Sequence, residues 1–219
     1  MDTVKKLMPL TIRFFAYALL MFFISVVISM DFALSEFDED SYTEMTQETL
    51  LFIAVVMLAL AAFWFKFMRE FTIILALFFL VHLIRELDGY FDVLVYHGFW
   101  KVPVWIVVAI AFYILFKNGK KYLRQLLYIQ DKYPFGILLV GLLTLHVFSR
   151  LYGRSSNWKN LFQDEYLRVI KDASEESIEL LGYSIILIAV VELILHIRGK
   201  SAEGITDPQH LLTADRSKD

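Results

Sequence analysis

Three stretches of this chain carry no charge over 17 residues: "FFAYALLMFFISVVISM" (14–30), "TLLFIAVVMLALAAFWF" (49–65) and "YPFGILLVGLLTLHVFS" (133–149). A bilayer core about 30 Å thick takes roughly 20 helical residues to cross, so each run predicts a transmembrane helix. Three shorter runs, "FTIILALFFLVHLI" (71–84), "VPVWIVVAIAFYILF" (102–116) and "LLGYSIILIAVV" (180–191), are bounded by charges. They cross only if polar residues enter the membrane or snorkel out of it. The pattern predicts six spans.

The remaining segments are too short for a second domain. Residues 117–132, "KNGKKYLRQLLYIQDK", read as a basic amphipathic helix at the headgroups, and 160–178 as its outer counterpart. In the latter, Asp164 with Arg168, Arg168 with Asp172 and Lys171 with Glu175 stand four apart, the spacing of surface ion pairs. The expected fold class is therefore all-α. It is a polytopic membrane helical bundle of about six transmembrane helices with two interfacial amphipathic helices. The bundle is expected over 1–198, followed by a disordered cytoplasmic tail over 199–219.

Composition agrees with this assignment. The 219 residues are 58% hydrophobic and 16% aromatic, with a mean hydropathy of +0.58, above the roughly 45–50% apolar content of soluble domains. Cysteine is absent, which removes disulfides, thiolate catalysis and cysteine metal sites. Net charge is −3 and no basic patch with interleaved aromatics is present, so nucleic acid is not an expected partner. No G-x-S-x-G elbow, phosphate-binding Gly-rich loop or EF-hand pattern occurs.

Charge also predicts orientation. The segments before the first span, at 66–69, at 117–132 and after 197 hold 14 of the 21 Lys and Arg, and the alternate segments hold 7. By the positive-inside rule both termini are cytoplasmic, and the expected location is a bacterial-type inner (plasma) membrane. Segment 31–48, with seven acidic residues and no basic one, then reads as a solvated outer loop. Lys5, Lys6 and Arg13 precede an apolar run longer than a signal-peptide core, and no A-x-A site follows it, so the run is kept as the first span.

The candidate chemistry lies where charges meet the spans. Span three supplies only 14 uncharged residues, and extending it through 85–90 carries "HLIRELDGYFD" (82–92) to membrane depth. At about 100° per residue, His82, Arg85, Glu86, Asp88 and Asp92 fall on one side, and Leu83, Ile84, Leu87, Tyr90 and Phe91 on the other. Span five adds His146 and Arg150 at i and i+4, and span six begins with Glu175, Glu176 and Glu179. His82, Arg85, Glu86, Asp88, His146, Arg150, Glu176 and Glu179 are thus expected to form one outward-facing polar cluster. A second intramembrane pair, Glu192 and His196, is expected toward the cytoplasmic side, with Arg13, Lys66 or Arg69 as its partners.

Three readings of the cluster differ in chemistry. Arg85 and Arg150 can neutralise the carboxylates in a buried network that sets helix register, making the chain a structural or accessory member of a membrane assembly. Alternatively, intramembrane carboxylates and histidines serve as the steps of a small-solute, ion or proton transporter. In the third reading His82, His146 and Glu86 bind a metal, zinc being the ion that suits them, and Glu86 or Glu179 acts as base in a membrane hydrolase. The outer cluster looks like that of seven-span membrane hydrolases related to alkaline ceramidase. This chain departs from that pattern in having six spans and no H-x-x-x-H in its last helix, so no residue is carried over and no catalytic residue is assigned. Bis-histidine haem ligation by His82 and His146 ranks below all three. The expected partners are the bilayer and either a membrane protein or a second copy of the chain.

Overall fold

The computed structural model describes residues 2–34, 41–163 and 168–203, with side chains from Met8 onward. Among these the regular structure is helical: α1 (Asp2–Leu34), α2 (Tyr42–Trp64), α3 (Arg69–Glu86), α4 (Asp88–Leu94), α5 (Lys101–Ile129), α6 (Tyr133–Leu143), α7 (Ser149–Tyr152), α8 (Ser155–Phe162) and α9 (Arg168–Ala202). A 3-10 turn, Lys66–Met68, leads into α3, and a π-helical turn, Thr144–Phe148, joins α6 to α7. Six segments are long and apolar enough to cross a membrane: Met8–Leu34, Tyr42–Trp64, Lys66–Glu86, Lys101–Ile129, Tyr133–Tyr152 and Arg168–Ala202.

The chain divides into two compact units, Met1–Gln47 with Gly141–Ser184, and Glu48–Val140 with Ile185–Asp219. In the first unit α1 buries Ile24, Val27 and Asp31 along one stripe. Asp31 lies in the segment expected to be a solvated loop, yet it is buried and its carboxylate accepts from the backbone N–H groups of Tyr42 (3.1 Å) and Thr43 (2.7 Å). Ser41 adds its own cap, its hydroxyl accepting from the N–H of Glu44 at 3.2 Å. Ser41 and Glu44 have the S-x-x-E spacing of a capping box, and a carboxylate at a helix start also meets the positive end of the helix dipole. The loop expectation fails at 31–34 and 41–48 because α1 and α2 extend into it; residues 35–40 lie outside the described residues. Gly182 of α9 lets Leu145 approach closely, since a Cβ on it would lie 3.1 Å from the Leu145 Cβ and 3.2 Å from its backbone.

In the second unit α3 packs against α5. The two basic and mixed-charge segments expected as separate interfacial helices are different in the structure. Residues 117–129 continue α5 past a kink at Asn118 (φ −122°, ψ 18°), and 168–178 begin the 35-residue α9. No proline separates these segments from the spans, so each helix runs on. Residues 199–202, expected in the tail, are the last turn of α9, and 204–219 lie outside the described residues. Arg168–Asp172 (3.3 Å) and Lys171–Glu175 pair as the spacing predicts; Asp164 lies outside the described residues.

The continuation of α5 has a structural purpose. Gln125 is buried, and its carbonyl accepts from the Phe71 N–H (2.7 Å) while its amide nitrogen donates to the Phe67 carbonyl (2.9 Å) and the Glu70 carboxylate (2.7 Å). Phe67 to Phe71 is where the chain turns from α2 into α3, and a helix start has four N–H groups without intrahelical partners. One side chain thus closes this turn. Lys121, one helical turn before Gln125, reaches Glu70 at 3.6 Å, and the Tyr122 ring stacks on Phe71. Gln125→Leu keeps the volume but leaves the Phe71 N–H and the Phe67 carbonyl without this partner and takes one of two donors from Glu70, which should destabilise the protein by at least about 2 kcal/mol. Thermal unfolding of the purified protein should show a clear fall in Tm, whereas Gln125→Glu should fall further because it sets a second carboxylate against Glu70.

Between α4 and α5 the chain reverses at Gly98, whose φ of +85° suits glycine. The Asp92 carboxylate accepts from the Gly98 N–H at 2.7 Å and contacts the His97 ring. The Gly98 N–H, reinforced by His97 and Lys101, holds the Asp92 carboxyl below its usual range. A carboxylate with a depressed folded pKa stabilises the turn fully above the ordinary value of about 3.9, and that contribution is lost as pH falls through the lower folded value. Hydrogen-exchange protection of the Gly98 amide should therefore persist at pH 5 and collapse only in that acid range. Asp92→Ala should abolish it at every pH.

Candidate polar sites

The first unit gathers its charges around one arginine. Arg150, on α7, directs one guanidinium nitrogen to Glu175 and the other to Glu179 at 3.1 Å. The Glu179 residue is only 4% exposed, whereas the Arg150 side chain is 48% exposed, so the guanidinium bridges from the surface to the buried carboxylates. Lys171 meets the second oxygen of Glu175 and also pairs with Asp172 at 3.2 Å. The Ser149 hydroxyl lies 3.4 Å from Glu179, at the long limit of a hydrogen bond, and donates to the Leu145 carbonyl. Gly153 completes the site by having no side chain, because a Cβ there would fall 2.8 Å from a Glu175 oxygen. Two carboxylates are thus held by two cations.

Part of this arrangement was anticipated from the sequence. Arg150 and Glu179 come together, but the second carboxylate on Arg150 is Glu175 rather than Glu176. The i, i+4 spacing of Glu175 with both Lys171 and Glu179 carries the signal for it. Glu176 instead accepts from the Gln47 side-chain amide, which reaches both its carboxylate and its backbone carbonyl at 3.0 Å. His146 lies in the π-helical turn and is exposed, as is Arg150, while Leu145 and Ser149 are buried.

The residues of span three belong to the second unit. The α3 helix ends at Glu86 and Leu87 breaks the helix (φ −83°, ψ 15°), so Asp88 opens a separate helix, α4. The length missing from span three is recovered at its other end: the segment begins at Lys66 and takes in Arg69 and the buried Glu70. Glu70 can sit there because Gln125 and Lys121 meet its carboxylate, a pairing absent from the expected cluster. Arg85 pairs with its neighbour Glu86 at 3.2 Å. His82 contacts the Phe78 carbonyl at 2.9 Å, with its ring against those of Phe78 and Phe79. This is the setting of a hydrogen-bonded helix histidine.

The pair expected within the membrane, Glu192 and His196, meets tyrosines. Glu192, 5% exposed, accepts from the Tyr133 hydroxyl at 2.7 Å, and His196 lies 2.9 Å from the Tyr128 hydroxyl. Both tyrosines flank the short connection "QDK" between α5 and α6 and stand outside the expected sites. Among the described residues no group of three or more His, Asp and Glu side chains is placed to hold a metal ion. His82, His146 and Glu86, the expected zinc set, form no such group.

These observations define an all-helical chain with six segments able to cross a membrane and with buried carboxylates met by donors from neighbouring helices. No protein-family model, curated protein or solved structure matches it.

The Arg150 network can be tested by its asymmetry. Removing one partner of a buried ion pair costs about 3–5 kcal/mol because the other charge is left uncompensated; with Arg150 half exposed, Arg150→Met should cost roughly 2–3 kcal/mol. Adding Glu175→Gln and Glu179→Gln should restore most of that loss. Thermal unfolding of the single and triple variants measures both.

Proposed function

We propose that this chain is a multi-pass protein of a bacterial-type inner membrane, with both termini on the cytoplasmic side, and that it acts as a structural or accessory component of a membrane assembly. The observation that carries this reading is how its polar groups are used. Glu175 and Glu179 are met by Arg150 and Lys171, Glu70 by Gln125 and Lys121, and Glu192 by Tyr133, so these carboxylates are engaged in holding helices together. Meanwhile α1 and α5 bury little of their apolar surface. Phe15, Leu19 and Phe22 on α1 and Trp105, Phe112 and Phe116 on α5 are exposed, Phe116 at 94%. Such surface suits lipid on one side and a partner helix on another, since helix association in a bilayer rests on packing. Charge asymmetry supports the orientation, and the exposed Trp64 and Trp105 near helix ends suit an interfacial belt.

A second reading, transport of protons or small solutes, is favoured by one feature. The Glu192–Tyr133 and His196–Tyr128 contacts stand one helical turn apart, about 6 Å along α9, as two successive hydrogen-bonded steps would. The readings are separated by measuring the mass of the complex extracted in mild detergent alongside proton flux in proteoliposomes. The accessory reading expects a complex larger than one chain that falls apart when Phe15, Leu19 and Phe22 are all changed to Ala, and flux no greater than in empty vesicles. A monomer with flux abolished by Glu192→Gln would establish transport instead.

A further inference from the structure

The hairpin of α2 and α3 carries an open groove of about 460 Å3, within the size range of ligand sites. Its walls are two apolar stripes at helical spacing, Val55 and Ala59 from α2 and Ile73, Leu77 and Leu80 from α3. Ala59 contributes no bulk, which keeps the groove open, and the stripe from Ile73 to Leu80 is about 10 Å long at 1.5 Å per residue. At the end nearest the turn the apolar lining gives way to Lys66 and Arg69, both exposed, and neither forms an ion pair among the described residues. Nearby Glu70 does not neutralise them, because its carboxylate is taken by Gln125 and Lys121. Trp64, 64% exposed, stands beside the turn, as a residue at headgroup level would.

An apolar channel ending in two uncompensated cations is complementary to a molecule with a hydrocarbon chain and an anionic head. We infer that this groove binds an anionic phospholipid, with one acyl chain lying between Val55, Ala59, Ile73, Leu77 and Leu80 and the phosphate against Lys66 and Arg69. A zwitterionic lipid offers the same chain, but its own cation offsets the phosphate, so the two basic side chains select for net negative charge. The groove shares no residue with the Arg150 network or with the Glu192 pair. It holds whether the chain is an assembly component or a transporter.

The full chain in mild detergent is titrated with phosphatidylglycerol or with phosphatidylcholine of identical acyl chains, and bound lipid is counted by native mass spectrometry. Wild type should retain one phosphatidylglycerol in preference to phosphatidylcholine. Each basic residue near a membrane anion contributes enough for about a fivefold change in affinity, so Lys66→Gln with Arg69→Gln should lose most of that preference. Both positions are exposed, so the double variant should keep the wild-type Tm. Ala59→Phe, also at an exposed position, fills the groove and should reduce retention of both lipids at this site with the cations intact. Equal retention of the two lipids by wild type, or an undiminished preference in the double variant, would overturn the proposal. Displacement of the lipid by free glycerol phosphate at equal concentration would overturn it too, by assigning the site to the anion alone.

Discussion

A carboxylate or peptide group withdrawn from water inside an apolar structure has no solvent to fall back on, so protein must supply its hydrogen bonds and its countercharge. In a chain whose six longest helical segments are apolar enough to enter a bilayer, this constraint decides where helices can break, where charges can sit and which side chains must accompany them. The clearest case is Gln125, whose single amide satisfies the N–H of Phe71, the carbonyl of Phe67 and the carboxylate of Glu70. Without it the turn into α3 would bury open backbone groups, and the buried Glu70 would be left with Lys121 alone.

The same rule is applied differently in the first unit. There the partners are charges, and the geometry is built around scarcity of space: Gly153 yields room for Glu175, and Gly182 lets Leu145 close in. Arg150 keeps half of its side chain in contact with its surroundings while neutralising two buried acids, an arrangement that avoids burying the guanidinium itself. Removing a cation from such a network leaves a buried charge, whereas replacing the network with apolar groups need not cost stability, and this is why ion pairs of this kind hold register more surely than they add stability.

Polar groups so thoroughly engaged leave the outer surfaces to define what the protein meets. Many large apolar side chains on α1 and α5 are exposed, a condition for lipid contact or helix association. The α2–α3 hairpin differs because its apolar groove ends in Lys66 and Arg69, cations that the internal pairings leave over. The compensation of Glu70 by α5 and the availability of these two cations are therefore parts of one arrangement at the same turn.

The six apolar segments were legible in the sequence because a bilayer-length run of apolar residues has few other uses, and periodicity also announced the Arg168–Asp172 and Lys171–Glu175 pairs. The candidate acids at 175 to 179 and 192 were visible as charges beside or within spans, and so was Arg150. Their partners were not. Whether Glu175 or Glu176 meets Arg150 depends on the rotation of α9, which spacing leaves open because they stand four and three residues from Glu179. Gln125 and Tyr128 lie 54 residues or more from the groups they serve, in a segment whose own composition reads as surface, and Tyr133, at the first position of a span, is 59 residues from Glu192. Which segments are long and apolar enough to cross a membrane follows from apolar length along the chain and was determined by the sequence itself; pairing follows from which helix faces which, and packing alone decided it, because a hydrogen bond is fixed to within a few tenths of an ångström while hydropathy is fixed only to within a turn of helix.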